Sequence, residues 1–167
     1  MLGVDLGLNV GSIIVLRKRI VKDSHVFKFT HEKESESRLH DIAKRYALEI
    51  RRRCKRFKDN KVAIEEPVFS WGRKNPKAFA KLVELRALII FLLPPETILL
   101  SVNNKTAKKK AGHGGKDKSE MVKAYKMRTG VFPGHQTKYG METLADSYFI
   151  ALVGYDQWDT HKDERKS

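Results

Sequence analysis

The spacing of apolar positions changes period along the chain, and each change marks an element. Residues 1–5 and 10–16 are two apolar, β-branched-rich runs parted by Gly7, Asn9 and Gly11, the pattern of a hairpin. His25-Val26-Phe27-Lys28-Phe29 alternates loosely and completes an antiparallel meander. The period then lengthens. Leu39, Ile42, Ala43, Tyr46, Ala47, Ile50, Cys54 and Phe57 step by threes and fours, predicting one long amphipathic helix over 35–58 with Ser35 or Ser37 as N-cap. Residues 61–65 form a short buried strand that closes on carboxylates and stops before Pro67. A second helix is predicted over 75–93, apolar on nearly all sides towards its end and terminated by Pro94-Pro95. Residues 97–102 give a further strand, 103–118 a loop rich in Lys and Gly, and 119–128 and 142–153 two short helices. Three strands, helix, strand, helix, strand and then helices describe an α/β domain on a mixed five-stranded sheet flanked by helices. Its first strands pair as a meander, and its later ones join in parallel through crossover helices. We place the domain at 1–155 and a polar, frayed tail at 156–167.

Composition narrows the function. A chain of 167 residues has room for one domain, which excludes kinases and ATPases that close two lobes over a nucleotide. An actin-like ATPase or sugar kinase also opens on an Asp-Leu-Gly strand but needs both lobes. Thirty-four Lys and Arg against 20 Asp and Glu leave a net charge of +14, and a domain this basic most often binds a polyanion such as nucleic acid. Cys54 is the single cysteine, so no disulfide framework or cysteine zinc site forms within one chain. The longest apolar stretch, 87–93, is far short of the about 20 residues that span a bilayer. No basic segment followed by an apolar run and a cleavage site opens the chain. The expectation is a soluble, intracellular, cytoplasmic protein that makes no use of a membrane.

Three carboxylates occupy apolar surroundings. Asp5 lies between Val4 and Leu6, Glu65 closes Val62-Ala63-Ile64, and Asp146 is set in Leu144-Ala145-Asp146-Ser147-Tyr148-Phe149. Burying an unpaired carboxylate costs several kcal/mol, unless the acids converge on a cation; hard Mg²⁺ or Mn²⁺ takes oxygen ligands of this kind. Taken singly, Asp5 also reads as a turn or cap residue, Glu65 as a solvated strand end and Asp146 as a water-facing helix residue. Taken together, on a chain with a large positive excess, they point to phosphodiester cleavage.

Gly3-Val4-Asp5-Leu6-Gly7, Ala63-Ile64-Glu65 and Leu144-Ala145-Asp146, in this order, resemble the RuvC-like branch of the ribonuclease H superfamily. So do residues 75–93 around Lys81-Leu82-Val83-Glu84-Leu85-Arg86. A further match is the run 102–122, where Thr106, Lys108, Lys109, Gly112, Gly114 and Lys118 precede Met121-Val122. The match spans roughly residues 1–153. It implies a ribonuclease H-like fold and a homodimeric, metal-dependent endonuclease that nicks four-way (Holliday) DNA junctions symmetrically. It also implies that Asp5, Glu65 and Asp146 hold the metal. Where the family carries Asp or His, three residues before the last Asp, this chain has Thr143. Glu142, which shares the helical face of Asp146, is the substitute candidate; an acid favoured at a helix N-terminus is the other reading. Two ions about 3.5–4 Å apart would drive an in-line displacement. Asp5 would bridge them, with Glu65 on one side and Asp146 and Glu142 on the other. A related RNA-processing nuclease and a silent junction-binding protein are the rival readings. The small size suits a phage or organelle version.

Candidate DNA contacts follow from charge. Arg52, Arg53, Lys55 and Arg56 close the long helix and are either solvated surface or phosphate contacts. Lys105, Lys108, Lys109, Lys110, Lys116 and Lys118 surround a glycine-rich stretch that admits close backbone approach. Within it, Lys108 or Lys109 would stabilise transition-state charge, with Lys109 carried forward as the catalytic choice. His113 is a DNA contact or a bystander. Phe69 and Trp71, just after Glu65, either stack on bases or anchor their loop. The second helix is too apolar to bury one face only, which nominates Phe79, Leu82 and Val83 for a homodimer interface.

Overall fold

The computed structural model describes residues 1–29, 36–67, 75–112, 118–130 and 138–164. The meander comprises β1 (Leu2–Asp5), β2 (Val10–Arg17) and β3 (Ile20–Lys28), followed by α1 (Glu36–Phe57), β4 (Lys61–Glu66), α2 (Pro76–Leu92) and β5 (Ile98–Asn103). Three helices complete the chain: α3 (Asn104–Lys110), α4 (Lys118–Thr129) and α5 (Lys138–Glu164). The strands form one sheet in the order β3-β2-β1-β4-β5. Pairing is antiparallel within the meander and parallel for β1 with β4 and β4 with β5, as the alternation and the crossover helices predict.

Strand alternation sends side chains to two cores. Leu2, Val4, Ile13, Val15, Val62 and Ile64 pack under α1 and α2, whereas Ile14, Leu16, Ala63 and Val102 pack under α3, α4 and α5. Gly3 faces α5 so closely that a Cβ would stand 2.1 Å from the Ser147 carbonyl oxygen. Only glycine lets this helix reach the sheet. The same parity governs the strand ends: Asp5, two residues beyond Gly3, and Glu65, two beyond Ala63, fall on the α5 side, whereas Glu66 does not.

Helix α2 begins as its sequence dictates, with Asn75 accepting a hydrogen bond from the Ala78 amide at 3.0 Å and Pro76 in the first turn. Leu85 and Ile89 are buried, while Val83 and Phe91 stay exposed.

Two segments depart from expectation. Residues 104–110 form α3 rather than loop, because Asn103 caps the Lys105 amide at 2.8 Å and Ala107 and Ala111 enter the core. The last helix runs on to Glu164 rather than ending near 153, so the expected boundary at 155 falls inside it. Its polar residues are held by specific partners: Asp156 pairs with Arg19 at 3.0 Å and Lys110 at 2.6 Å. Among the described residues, no helix is long and apolar enough to cross a membrane.

Candidate active site

The carboxyl ends of β1 and β4, the first turn of α3 and the first turns of α5 enclose a cleft of about 370 Å³. Asp5, Glu65, Glu142 and Asp146 all line it, along with Thr143, Asn104, Lys108, Lys118 and Tyr139. Residues 142, 143 and 146 share a helical face, so one helix supplies two acids and a hydroxyl to the two strand ends.

The cleft holds its acids by hydrogen bonds from neutral groups. Thr143 Oγ1 donates to Asp5 Oδ2, and the Asn104 amide nitrogen donates to Glu65 Oε1. Beneath them, Ser12 Oγ donates to the Thr143 carbonyl at 2.8 Å, Ser147 Oγ donates to the Ser12 carbonyl at 3.1 Å, and the Asp5 amide donates to Ser147 Oγ at 3.2 Å. From the other face the buried Tyr46 hydroxyl accepts from the Gly7 amide at 3.1 Å and donates to the Asp5 carbonyl at 3.3 Å. A Cβ at Gly11 would lie 1.7 Å from that hydroxyl, so glycine there makes room for the tyrosine. The backbone around Asp5 is thus clamped from both faces of the sheet.

The electrostatics are those of a site short of positive charge. Burial pushes the Asp5 carboxyl well above the usual carboxylate range, and the charges of Asp146 and Glu65 push the same way, against the Thr143 hydrogen bond. Burial likewise pushes Asp146 up to about 6, partly offset by Lys118 and Lys108 and reinforced by Glu65 and Glu142. Lys118 Nζ stands 3.8 Å from Glu142 and 3.9 Å from Asp146, beyond hydrogen-bonding reach.

An all-oxygen donor set of this kind fits a hard divalent cation. Among the described residues, no three acidic, His or Cys groups already form a closed chelate. An open cleft suits Mg²⁺ all the same, since it keeps several waters and needs one or two carboxylates.

The cations expected at this site divide. Lys108 and Lys118 line the cleft. Lys109 does not: one residue on, about 100° round the helix, it lines a separate groove with Thr106, Val153 and Gln157. Lys110 is turned to Asp156, and Lys105 is exposed on the first turn of α3. Arg52, Lys55 and Arg56 are exposed, but at the amino end of β4, across the sheet from the cleft. Arg53 is a correction. It is 2 % exposed and its guanidinium is committed to Glu49 and to Asp23, the latter at 3.3 Å, so it fastens α1 to β3 and is closed to phosphate. Phe69, Trp71, His113 and Lys116 lie outside the described residues.

Leu82 packs against the core and also lines the cleft; Val83 is 44 % exposed. The sequence reading missed Asn104, Ser12 and Ser147. A lone serine just before the apolar run Ile13–Leu16 and the Asn103-Asn104 pair where β5 gives way to α3 were the available signals.

Known folds resemble this chain closely in shape and distantly in sequence. The structure of Thermus thermophilus RuvC superposes with a TM-score of 0.61 at 17% identity, covering 92% of this chain and 97% of that one. T. thermophilus RuvC in complex with a Holliday junction substrate gives 0.64 at 15% identity, covering 92% and 96%. The yeast mitochondrial Holliday junction resolvase Ydc2 gives 0.64 at 19% identity, covering 95% and 78%. No protein-family model and no curated protein sequence matches. The chain therefore has the RuvC, ribonuclease H-like fold.

Proposed function

We propose that this protein is a metal-dependent, structure-selective endonuclease that resolves four-way DNA junctions by paired nicks, acting as a homodimer. One observation carries the reading. Asp5, Glu65, Glu142 and Asp146, contributed by three elements far apart in sequence, line one cleft, where Asp5 and Asp146 are desolvated against their ordinary ionisation. Such a cluster destabilises the fold unless cations enter it. Its fold is shared with a resolvase and with a RuvC solved on a Holliday junction, and the +14 net charge suits a polyanionic substrate.

Asp5, Glu65, Asp146 and Glu142 would hold the metal. When bound, a pair of Mg²⁺ ions, or Mn²⁺ in their place, supplies a water nucleophile and stabilises the leaving 3′-oxygen. The chain's own groups do the positioning. Thr143 and Asn104 fix the Asp5 and Glu65 carboxyls, Tyr46 fixes the Asp5 backbone, and Lys108 and Lys118 meet phosphate charge at the cleft wall. On α2 the exposed Val83 and the half-buried Phe79 one turn before it are assigned to a two-fold partner, and a two-fold enzyme matches a two-fold junction.

The test is a labelled synthetic junction, a matched linear duplex and an RNA–DNA hybrid, each given to wild type and to Asp146→Asn with Mg²⁺ or chelator. Paired metal-dependent nicks in the junction, reduced by about 10³-fold in the variant, are expected. Tight junction binding without cutting makes the protein a silent binder, and cutting of the hybrid alone makes it an RNA-processing nuclease.

A further inference from the structure

At the end of the sheet away from the cleft, a second groove of about 480 Å³ runs between the end of β2 and the end of α1. Helix α5 measures the separation: Asp146 lines the cleft and Asp156 pairs with Arg19 in the β2–β3 turn, ten residues or about 15 Å along the helix. Arg17, Arg56, Lys58 and Lys61 line the groove with a single acid, Asp59. That acid is already engaged by the Met1 amino group and by Lys61 at 2.8 Å. Among the described residues, Arg17, Lys18 and Lys58 have no carboxylate within 4 Å.

A backbone observation singles out the same place. Among the described residues, the non-glycine ones with left-handed backbone are Lys18 (φ 51°), Arg19 (φ 63°) and Lys58 (φ 51°). The first two form the β2–β3 turn, where Asn-Gly is the favoured pair; the third follows α1, where glycine is favoured. All three are long cations held at a conformational cost that glycine avoids. Attraction to the α1 dipole accounts for Lys55 and Arg56 in its last turn, but not for Arg17 and Lys18, which belong to another element.

We propose that this groove is a second nucleic-acid site, gripping the phosphodiester backbone of a duplex segment other than the one entering the carboxylate cleft. Its apolar lining is Val15 and Leu16, each 1 % exposed, and the half-buried Phe57, whose ring lies under the Arg56 guanidinium, too little to seat a peptide's apolar side chains or a lipid tail. Charge is the chemistry on offer, and unpaired cations from separate elements suit a sequence-blind phosphate contact. The inference does not rest on the cleavage reading, since it holds whatever the carboxylates do.

The test removes the charge and relieves the backbone together, with Arg17→Ala/Lys18→Gly/Lys58→Gly. Binding of a short fluorescent linear duplex is followed by anisotropy in chelator across a salt series, with stoichiometry at saturation. Wild type should take two short duplexes per chain and the variant one. The variant's salt slope should fall by about 2.7 if three phosphate contacts are lost, at 0.9 each. The charge-keeping variant Arg17→Lys/Lys58→Arg should behave as wild type, and Lys108→Ala/Lys118→Ala should lose the cleft duplex and retain the distal one. Unchanged slope and stoichiometry in the triple variant would overturn the site. So would a triple variant that loses binding to phosphatidylserine vesicles while its duplex binding stays as in wild type. Because nothing is cut in chelator, a protein that fails to nick junctions still gives this readout.

Discussion

At the carboxyl end of the sheet four acids share a cleft whose lysine at position 118 stands 3.8 and 3.9 Å from the nearest two. At the opposite end, Asp23, Glu49, Asp59 and Asp156 each have a cation within 3.3 Å. Burial is the largest single influence at Asp59 and Asp156 and opposes ionisation, yet Lys61 with the Met1 amino group at the first, and Lys110 with Arg19 at the second, together outweigh it and hold both carboxyls below the ordinary value. In the cleft, burial wins and Asp5 and Asp146 go up. The same residue types therefore fasten helices to strands at one end and remain in demand of charge at the other. Close pairing marks structure, and its weakness around desolvated acids marks a site.

The strongest way to break this contrast is at the paired end. Arg53→Ala removes the buried cation that joins Glu49 to Asp23 and leaves them only Arg52 and the more distant Arg56, and removing one partner of a buried pair costs about 3 kcal/mol. The melting temperature should drop by roughly 10 °C. A drop within 2 °C would show that Arg53 is not a structural clamp.

Next comes the pH dependence of stability in chelator. Asp146, raised to about 6, contributes stability that is fully present below about pH 4 and lost as pH rises through 6, because the folded state binds the proton more tightly. Two units correspond to about 3 kcal/mol at most. Wild type should therefore lose stability between pH 4.5 and 7. Asp146→Asn should lose less, and Mg²⁺ should restore the wild type at pH 7. A wild-type curve that rises over this window would refute the desolvated cluster.

A smaller effect separates two neighbouring lysines. Lys108→Ala should slow junction cleavage by about 100-fold, the low end of the range for losing a charge-stabilising donor near the reacting group. Lys109→Ala should leave single-turnover cleavage within about twofold, since its side chain belongs to the α3–α5 groove. Equal losses would return both lysines to the site. The finest test is Thr143→Val, which removes a hydrogen bond worth about 1 kcal/mol. That bond favours the Asp5 carboxylate, so the acid limb of the pH–rate profile should move to higher pH. A profile that stays put would deny Thr143 its positioning role.

Much of the site was legible in the chain. Asp5, Glu65 and Asp146 stood out because a carboxylate inside an apolar run contradicts its surroundings, and the Ala63-Ile64-Glu65 match to the resembled family chose Glu65 over Glu66, with strand alternation agreeing. Glu142 followed from helical spacing. That Lys108 rather than Lys109 lines the cleft was not legible, because two adjacent lysines are indistinguishable until the helix they sit on is known, and 103–118 reads as loop from its Lys and Gly content. Arg53 was misjudged for a related reason. In Arg51-Arg52-Arg53 every member has the same charge, and only packing against β3 selects the one that is buried.

Period and parity along the chain determined the element order, the mixed sheet and the face on which the strand-end acids lie. These are local properties, set by side-chain spacing of 2.0 and 3.6 residues. Tertiary structure alone decided which charges meet. The separation of the α1 cations from the cleft, the clamp of Asp5 by Thr143 and Tyr46, and the extension of α5 to Glu164 all depend on residues up to 142 positions apart coming into contact. Charge interactions act through space and fall off with distance and screening, so a linear sequence states which charges exist but not which of them are satisfied.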